Sequence, residues 1–71
     1  MKISVQQVEA ALDDWRERAR AHGHEVGRSP QVYILGQVHA LMMGGRAPSI
    51  ELDTLDDSAR RLLEEWRARH H

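Results

Sequence analysis

The histidines are the residues of this chain best suited to chemistry, because imidazole can bind a metal ion or exchange a proton near neutral pH. The 71-residue sequence contains five of them: His22, His24, His39, His70 and His71. A closed zinc site needs four ligands in a tetrahedron, whereas His22 and His24 are two positions apart and would point to different sides of a helix. We therefore expect structural roles for the histidines, and we predict no metal site and no cofactor.

His39 has the strongest individual case, because it interrupts an otherwise apolar segment. A histidine at that position could make a pH-dependent contact. The alternative is a histidine at the margin of the core, with its ring hydrogen bonded to a carbonyl. We expect the second arrangement.

Three pairs of adjacent carboxylates are the next candidates, since two acids together can perform general acid–base catalysis. They are Asp13-Asp14, Asp56-Asp57 and Glu64-Glu65. Adjacent residues of a helix diverge by about 100°, so the two members of a pair do not converge on one substrate atom. The serines lack a nucleophile motif, and the Gly44-Gly45 pair follows a helix, whereas a phosphate loop precedes one. The sequence therefore predicts a protein that is not an enzyme.

Arginine supplies nine of the ten basic residues, and seven of these arginines lie in two segments, at positions 16, 18, 20, 60, 61, 67 and 69. Interleaved acidic residues cancel most of their field, and the formal charge of the whole chain is −1. Nucleic-acid binders concentrate positive charge, so we expect no DNA or RNA partner. A small regulator that contacts nucleic acid through these arginines is the alternative.

The length of the chain and its lack of cysteine limit how the fold can be stabilised. Residues 1–71 form a single predicted domain, and a chain this short buries only about 60% of the surface of its unfolded form. Without cysteine, oligomerisation is the common remaining support. The uncharged stretch 29–45 is too short and too polar to span a bilayer, and the first residues lead into a charged helix. We therefore expect a cytoplasmic protein with no membrane contact.

Capping signals predict three helices, at about 4–22, 29–43 and 53–69. Ser4 and Gln7 fit a capping box at the first N-terminus. Ser29 followed by Pro30 fits a second N-terminus, and two consecutive glycines at 44 and 45 end that helix.

The segment before the third helix contains a proline and a short apolar run. Ile50-Glu51-Leu52 could form a short extended segment. Asp53 or Thr54 then caps the third helix, and Asp56 and Asp57 would interact favourably with its N-terminal dipole.

The first and third predicted helices are amphipathic, whereas the second is apolar nearly all round. The apolar faces comprise Val5, Val8, Leu12, Trp15 and Ala19 in the first helix and Leu55, Ala59, Leu62, Leu63 and Trp66 in the third. The second helix carries no formal charge and has a wide apolar face of Ile34, Leu35, Val38, Leu41 and Met42. Such a helix is central in its domain or shared with another chain. The pattern predicts an all-α fold, a small three-helix bundle with both tryptophans buried.

Small residues recur every four positions along the second helix, at Gly36, Ala40 and Gly44. They would let another backbone approach closely, either within the bundle or from another chain, and both interpretations stay open. Glycine in a helix costs about 1 kcal/mol relative to alanine, so Gly36 indicates a steric requirement. We place the candidate interface at Tyr33, Gly36, Ala40 and Met43.

These features predict a non-enzymatic protein-interaction module that forms a homodimer or binds another protein. A nucleic-acid-contacting regulator is one alternative. A short inhibitor protein from a mobile genetic element is another, and the residue pattern does not separate it from the first interpretation.

Several short segments carry a resemblance to a known group of proteins. They are Val8-Glu9-Ala10-Ala11, Trp15-Arg16, Ser29-Pro30 and Ala40-Leu41-Met42. In these segments the chain resembles a family of short proteobacterial proteins of unknown function, whose members tend to carry cysteine where this chain has Ser29. The resemblance implies a compact helical bacterial protein, and it implies no activity and no site residues.

Overall fold

A computed structural model describes residues 1–23 and 29–70, in which three helices and a two-stranded sheet share one apolar core. The helices are α1 (Val5–Ala21), α2 (Pro30–Gly44) and α3 (Asp57–Arg69), and the strands are β1 (Lys2–Ser4) and β2 (Ser49–Glu51). The prediction of a mostly helical fold with three helices is confirmed. The short two-stranded sheet is an addition that the all-α prediction does not contain. Within the described residues, none of the helices is long and apolar enough to cross a bilayer.

The first two helices begin at the residues that the capping signals predict. The Gln7 amide donates to Ser4 Oγ at 3.1 Å, and the Ser4 amide donates to Gln7 Oε1 at 2.9 Å, which completes the capping box. Ser29 Oγ accepts from the Val32 amide at 3.3 Å, with Pro30 as the first residue of α2. These bonds satisfy amides that have no partner inside the helix.

The third helix begins later than predicted, at Asp57, so the start at 53 is wrong. Its cap is Asp56, whose Oδ1 accepts from the Ala59 amide at 3.0 Å. Thr54 uses its hydroxyl for a different bond, to the Glu51 carbonyl at 2.7 Å. The chain first makes a 3₁₀ turn over residues 52–54, which places the Leu52 side chain, 2% exposed, in the core.

The two strands pair antiparallel, and Ile3 lies opposite Ile50. The predicted extended run at 50–52 is confirmed one residue earlier, at Ser49–Glu51. β1 escapes prediction, because three residues with one apolar side chain show no period. Its burial is nonetheless complete at Ile3, which is 0% exposed.

Two polar contacts hold the strands in place. Arg67 of α3 donates to the Lys2 carbonyl at 3.2 Å. The amino group of Met1 donates to Glu51 Oε2 at 2.9 Å, and this hydrogen bond raises the pKa of that amino group above its ordinary 8.0.

The core draws side chains from all three helices, from β1 and from the 3₁₀ turn before α3. Its buried members are Ile3, Val8, Ala11, Leu12, Leu35, Val38, Met42, Leu52, Ala59, Leu63 and Trp66. The predicted apolar faces of α1 and α3 supply five of these positions, which are Val8, Leu12, Ala59, Leu63 and Trp66. Only one side of α2 contributes, and that side comprises Leu35, Val38 and Met42.

Candidate functional site

The side of α2 turned away from the core exposes large apolar side chains to solvent. Tyr33 is 65% exposed, Leu41 68% and Met43 57%. We call this surface the outer face of α2, and it comprises Tyr33, Gln37, Ala40, Leu41, Met43 and Gly44, all of which are exposed. The inner face comprises Leu35, Val38 and Met42. α2 is therefore not enclosed by the other two helices.

The candidate interface residues lie together on this side of the molecule. Tyr33, Ala40 and Met43 belong to the outer face, and Gly36 is half-buried at its edge. Leu41, which the sequence groups with Leu35 and Met42 in one wide apolar face, is exposed in the structure, whereas those two residues are buried. At about 100° per residue, Leu41 points well away from its neighbour Met42, and the core covers only the Met42 side. An all-apolar helix gives no signal for which side is buried.

The glycines of α2 have open space around them. A Cβ built on Gly36 or on Gly44 meets nothing within 4 Å. In the described part of the chain, close packing therefore does not account for Gly36, because no neighbour there requires its missing side chain. Among residues 1–23 and 29–70, no neighbour fills the space beside Gly36.

A shallow groove runs along the C-terminal half of the outer face. It is lined by Gln37, Ala40, Leu41, Gly44 and Gly45. At the N-terminal end, Tyr33 projects beside it, and Gln37 Nε2 donates to the Tyr33 hydroxyl at 2.8 Å. The outer face thus has a projecting aromatic ring at one end and a depression floored by small residues at the other.

His39 connects α2 to α1 through a carboxylate. Its Nε2 lies 3.0 Å from Glu9 Oε1, so the expected bond to a carbonyl is wrong. His70 does bond to a carbonyl: its Nδ1 donates to the Trp66 carbonyl at 2.8 Å while its ring stacks on the indole. Among the described residues, no group of three or more potential ligands could hold a metal ion. His24 and His71 lie outside the described residues.

The two tryptophans differ in burial, although the sequence predicts burial for both. Trp66 is 8% exposed, which confirms that part of the prediction. Trp15 is only half-buried, packs against the core from its margin, and has the Arg18 guanidinium 4.9 Å from its ring centroid. In the described structure neither buried indole N–H has a hydrogen-bond partner, so no hydrogen bond from the indole nitrogen fixes either ring.

Most of the arginines in the two basic segments are paired within their own helix. The pairs, by N–O distance, are Arg16–Asp13 at 3.5 Å, Arg18–Asp14 at 3.3 Å, Arg20–Glu17 at 3.3 Å, Arg60–Asp57 at 2.9 Å and Arg60–Glu64 at 3.7 Å. The members of the Asp13-Asp14 pair contact different arginines, so these adjacent carboxylates diverge as predicted. Such pairing lowers the positive field available to a polyanion.

Comparison with known proteins places the chain in one family. The model of the family described as protein of unknown function (DUF3717) matches residues 1–68, and the chain belongs to this family. The predicted resemblance to a family of unknown function is thus confirmed. No curated protein and no solved structure matches the chain.

Proposed function

We propose that this member of the DUF3717 family is a non-enzymatic protein-interaction module that pairs with a second copy of itself through the outer face of α2. One observation carries the proposal. Three large apolar side chains, Tyr33, Leu41 and Met43, are each more than half exposed on a 15-residue helix without a charged residue.

The grouping of these side chains distinguishes them from ordinary exposed residues. Single exposed leucines are common on protein surfaces, whereas contiguous apolar patches mark interaction sites. The outer face combines three such side chains with Ala40 and Gly44, and no Asp, Glu, Lys or Arg of α2 interrupts it.

The glycines give independent support. Gly36 costs the helix about 1 kcal/mol relative to alanine, and nothing in the described chain occupies the space that its missing Cβ leaves. A backbone from a second molecule would use that space. Burial of the patch would also add apolar contacts to a 71-residue chain that has no cysteine to form a disulfide.

A charge inserted into the outer face tests the proposal. Ala40→Arg places a guanidinium at the centre of this face, where pairing would remove it from water, so we expect a monomer with a native circular dichroism spectrum. Ala68→Arg is the matched control, since Ala68 is equally an exposed helical alanine but lies on α3. Size-exclusion chromatography with light scattering gives the masses. A dimeric Ala40→Arg variant, or a wild type that is monomeric throughout, would contradict the proposal.

A further inference from the structure

The four residues that lie most nearly opposite the core have symmetric spacing along α2. They are Tyr33, Gln37, Ala40 and Gly44, at intervals of four, three and four residues. At about 100° per residue, they form a stripe directly opposite Leu35, Val38 and Met42. Because the intervals are the same from either end, a helix that runs in the opposite direction presents the same pattern of positions.

Side-chain size along the stripe is not symmetric. The two larger side chains, Tyr33 and Gln37, occupy the N-terminal half, and the two small residues, Ala40 and Gly44, occupy the C-terminal half. In a parallel pair, each residue would face the same residue of the second copy. The two Tyr33 rings would then meet at one end, and a gap would remain between the two Gly44 residues at the other. In an antiparallel pair, Tyr33 faces Gly44 of the second copy and Gln37 faces Ala40 of the second copy. Large residues then meet small ones along the whole stripe.

The shape of the outer face agrees with this arrangement. The groove at its C-terminal half is floored by Ala40, Gly44 and Gly45, which leaves room for an aromatic ring. The bond from Gln37 to the Tyr33 hydroxyl at 2.8 Å restricts the ring before any partner arrives. A restricted side chain loses less conformational entropy on binding.

Charge and helix dipoles favour the same partner and direction. α2 lacks formal charge, so two copies meet without repulsion between like charges. Antiparallel helices also place the positive N-terminal end of one dipole near the negative C-terminal end of the other.

The size of the contact predicts moderate affinity. The 15 residues of α2 form a helix about 22 Å long and about 10 Å wide with its side chains. Two such helices paired along their length would bury on the order of 1,000 Å² in total, near the lower limit for a specific complex. Contacts of this size are typical of weak or transient complexes, so we expect the pair to dissociate on dilution.

We infer that two copies of this chain pair antiparallel along α2, about a twofold axis between Val38 and His39, with each Tyr33 ring seated over Gly44 of the other copy. This inference rests on the proposed self-association through the outer face. It adds the direction of the helices and the register of their contact.

Disulfide formation tests the direction directly, because the chain has no cysteine of its own. Two single variants, Tyr33→Cys and Gly44→Cys, are oxidised separately and as an equimolar mixture in which one variant carries a mass label. An antiparallel pair places the thiol at position 33 near the thiol at position 44 of the other copy, within the Cα separation that a disulfide spans. In this mixed dimer the Gly44→Cys copy still has Tyr33 and the Tyr33→Cys copy still has Gly44, so the second Tyr33–Gly44 contact is unchanged. Identical positions would be about 16 Å apart along the helix. Glu65→Cys, at an exposed position of α3, is the control that gives the rate of disulfide formation by random collision.

We expect a mixed disulfide that forms on the order of tenfold faster than either homotypic disulfide and than the Glu65→Cys control, because pairing raises the effective thiol concentration. If only homotypic disulfides form and the mixed disulfide does not, the antiparallel direction is wrong, but self-association through the outer face is not contradicted. An uncross-linked mixture that nevertheless has the mass of a dimer would place the contact elsewhere and overturn both proposals. An uncross-linked monomer would overturn self-association itself.

Discussion

The two faces of α2 have similar side chains and opposite environments. Leu35 on the inner face is 0% exposed, whereas Leu41, six residues later on the outer face, is 68% exposed. Met42 and Met43 are adjacent, and their exposures are 1% and 57%. Hydrophobicity alone therefore does not decide which side of this helix is buried. The buried side is determined by α1 and α3, which each supply one apolar face and together cover one side of α2.

Removal of the aromatic ring that helps to cover the inner face should have the largest effect. Trp66 belongs to the same buried cluster as Leu35. We expect Trp66→Ala to lower the free energy of unfolding by about 3–5 kcal/mol. Trp15→Ala should cost less, since its side chain is partly exposed and packs at the margin of the core. Urea denaturation followed by circular dichroism measures both, and equal losses would show that the two tryptophans are buried alike.

Two identical substitutions on one helix compare the faces directly. Leu35→Ala opens a cavity in the core and should cost about 2–5 kcal/mol of unfolding free energy. Leu41→Ala removes a solvent-exposed side chain and should cost the monomer less than about 1 kcal/mol. Denaturation at low protein concentration, where monomer predominates, gives both values. A loss at Leu41 as large as that at Leu35 would contradict the assignment of the two faces.

The edge between the faces should respond to Gly36→Ala in two opposite ways. The added methyl group meets nothing within 4 Å among the described residues, so the monomer should gain about 0.5–1 kcal/mol of unfolding free energy. The same methyl group would obstruct a second backbone and weaken self-association. Denaturation at low concentration and light scattering at high concentration separate the two effects. A variant that loses stability as a monomer would restore a packing role for Gly36 inside the fold.

The smallest expected effect concerns the arginines of the two charged helices, α1 and α3. Their arginines are largely paired with carboxylates, so labelled duplex DNA or RNA should show no more than weak, non-specific retention near physiological salt. Fluorescence anisotropy checks this expectation. Sub-micromolar binding that falls steeply with added salt would favour the arginines, and not the outer face of α2, as the functional surface.

The sequence predicts α1 and α3 better than α2 for a physical reason. In an amphipathic helix the spacing of the apolar residues indicates which face is buried. Val8, Leu12 and Leu63 are buried as expected. α2 is apolar in nearly every direction, so its sequence gives its bounds through Ser29 and Gly45 but not its orientation. The sequence therefore groups Leu41 with Leu35 in one wide apolar face, although only Leu35 is buried.

The remaining differences depend on contacts between distant parts of the chain. β1 exists because residues 2–4 pair with residues 49–51, a partnership that no local pattern encodes. The late start of α3 follows from burial of Leu52, which requires a turn before the helix begins. Three of the four candidate interface residues lie on the outer face as a group, because helical spacing alone determines which residues share a side.

Sedimentation equilibrium of the wild-type protein over low to high micromolar concentration tests most directly whether the outer face of α2 holds two copies together. The chain mass is 8.2 kDa. We predict that the weight-average mass rises with concentration toward twice that value, and that Ala40→Arg keeps it at the monomer mass while Ala68→Arg does not. A wild type that stays at 8.2 kDa up to high micromolar concentration would contradict self-association.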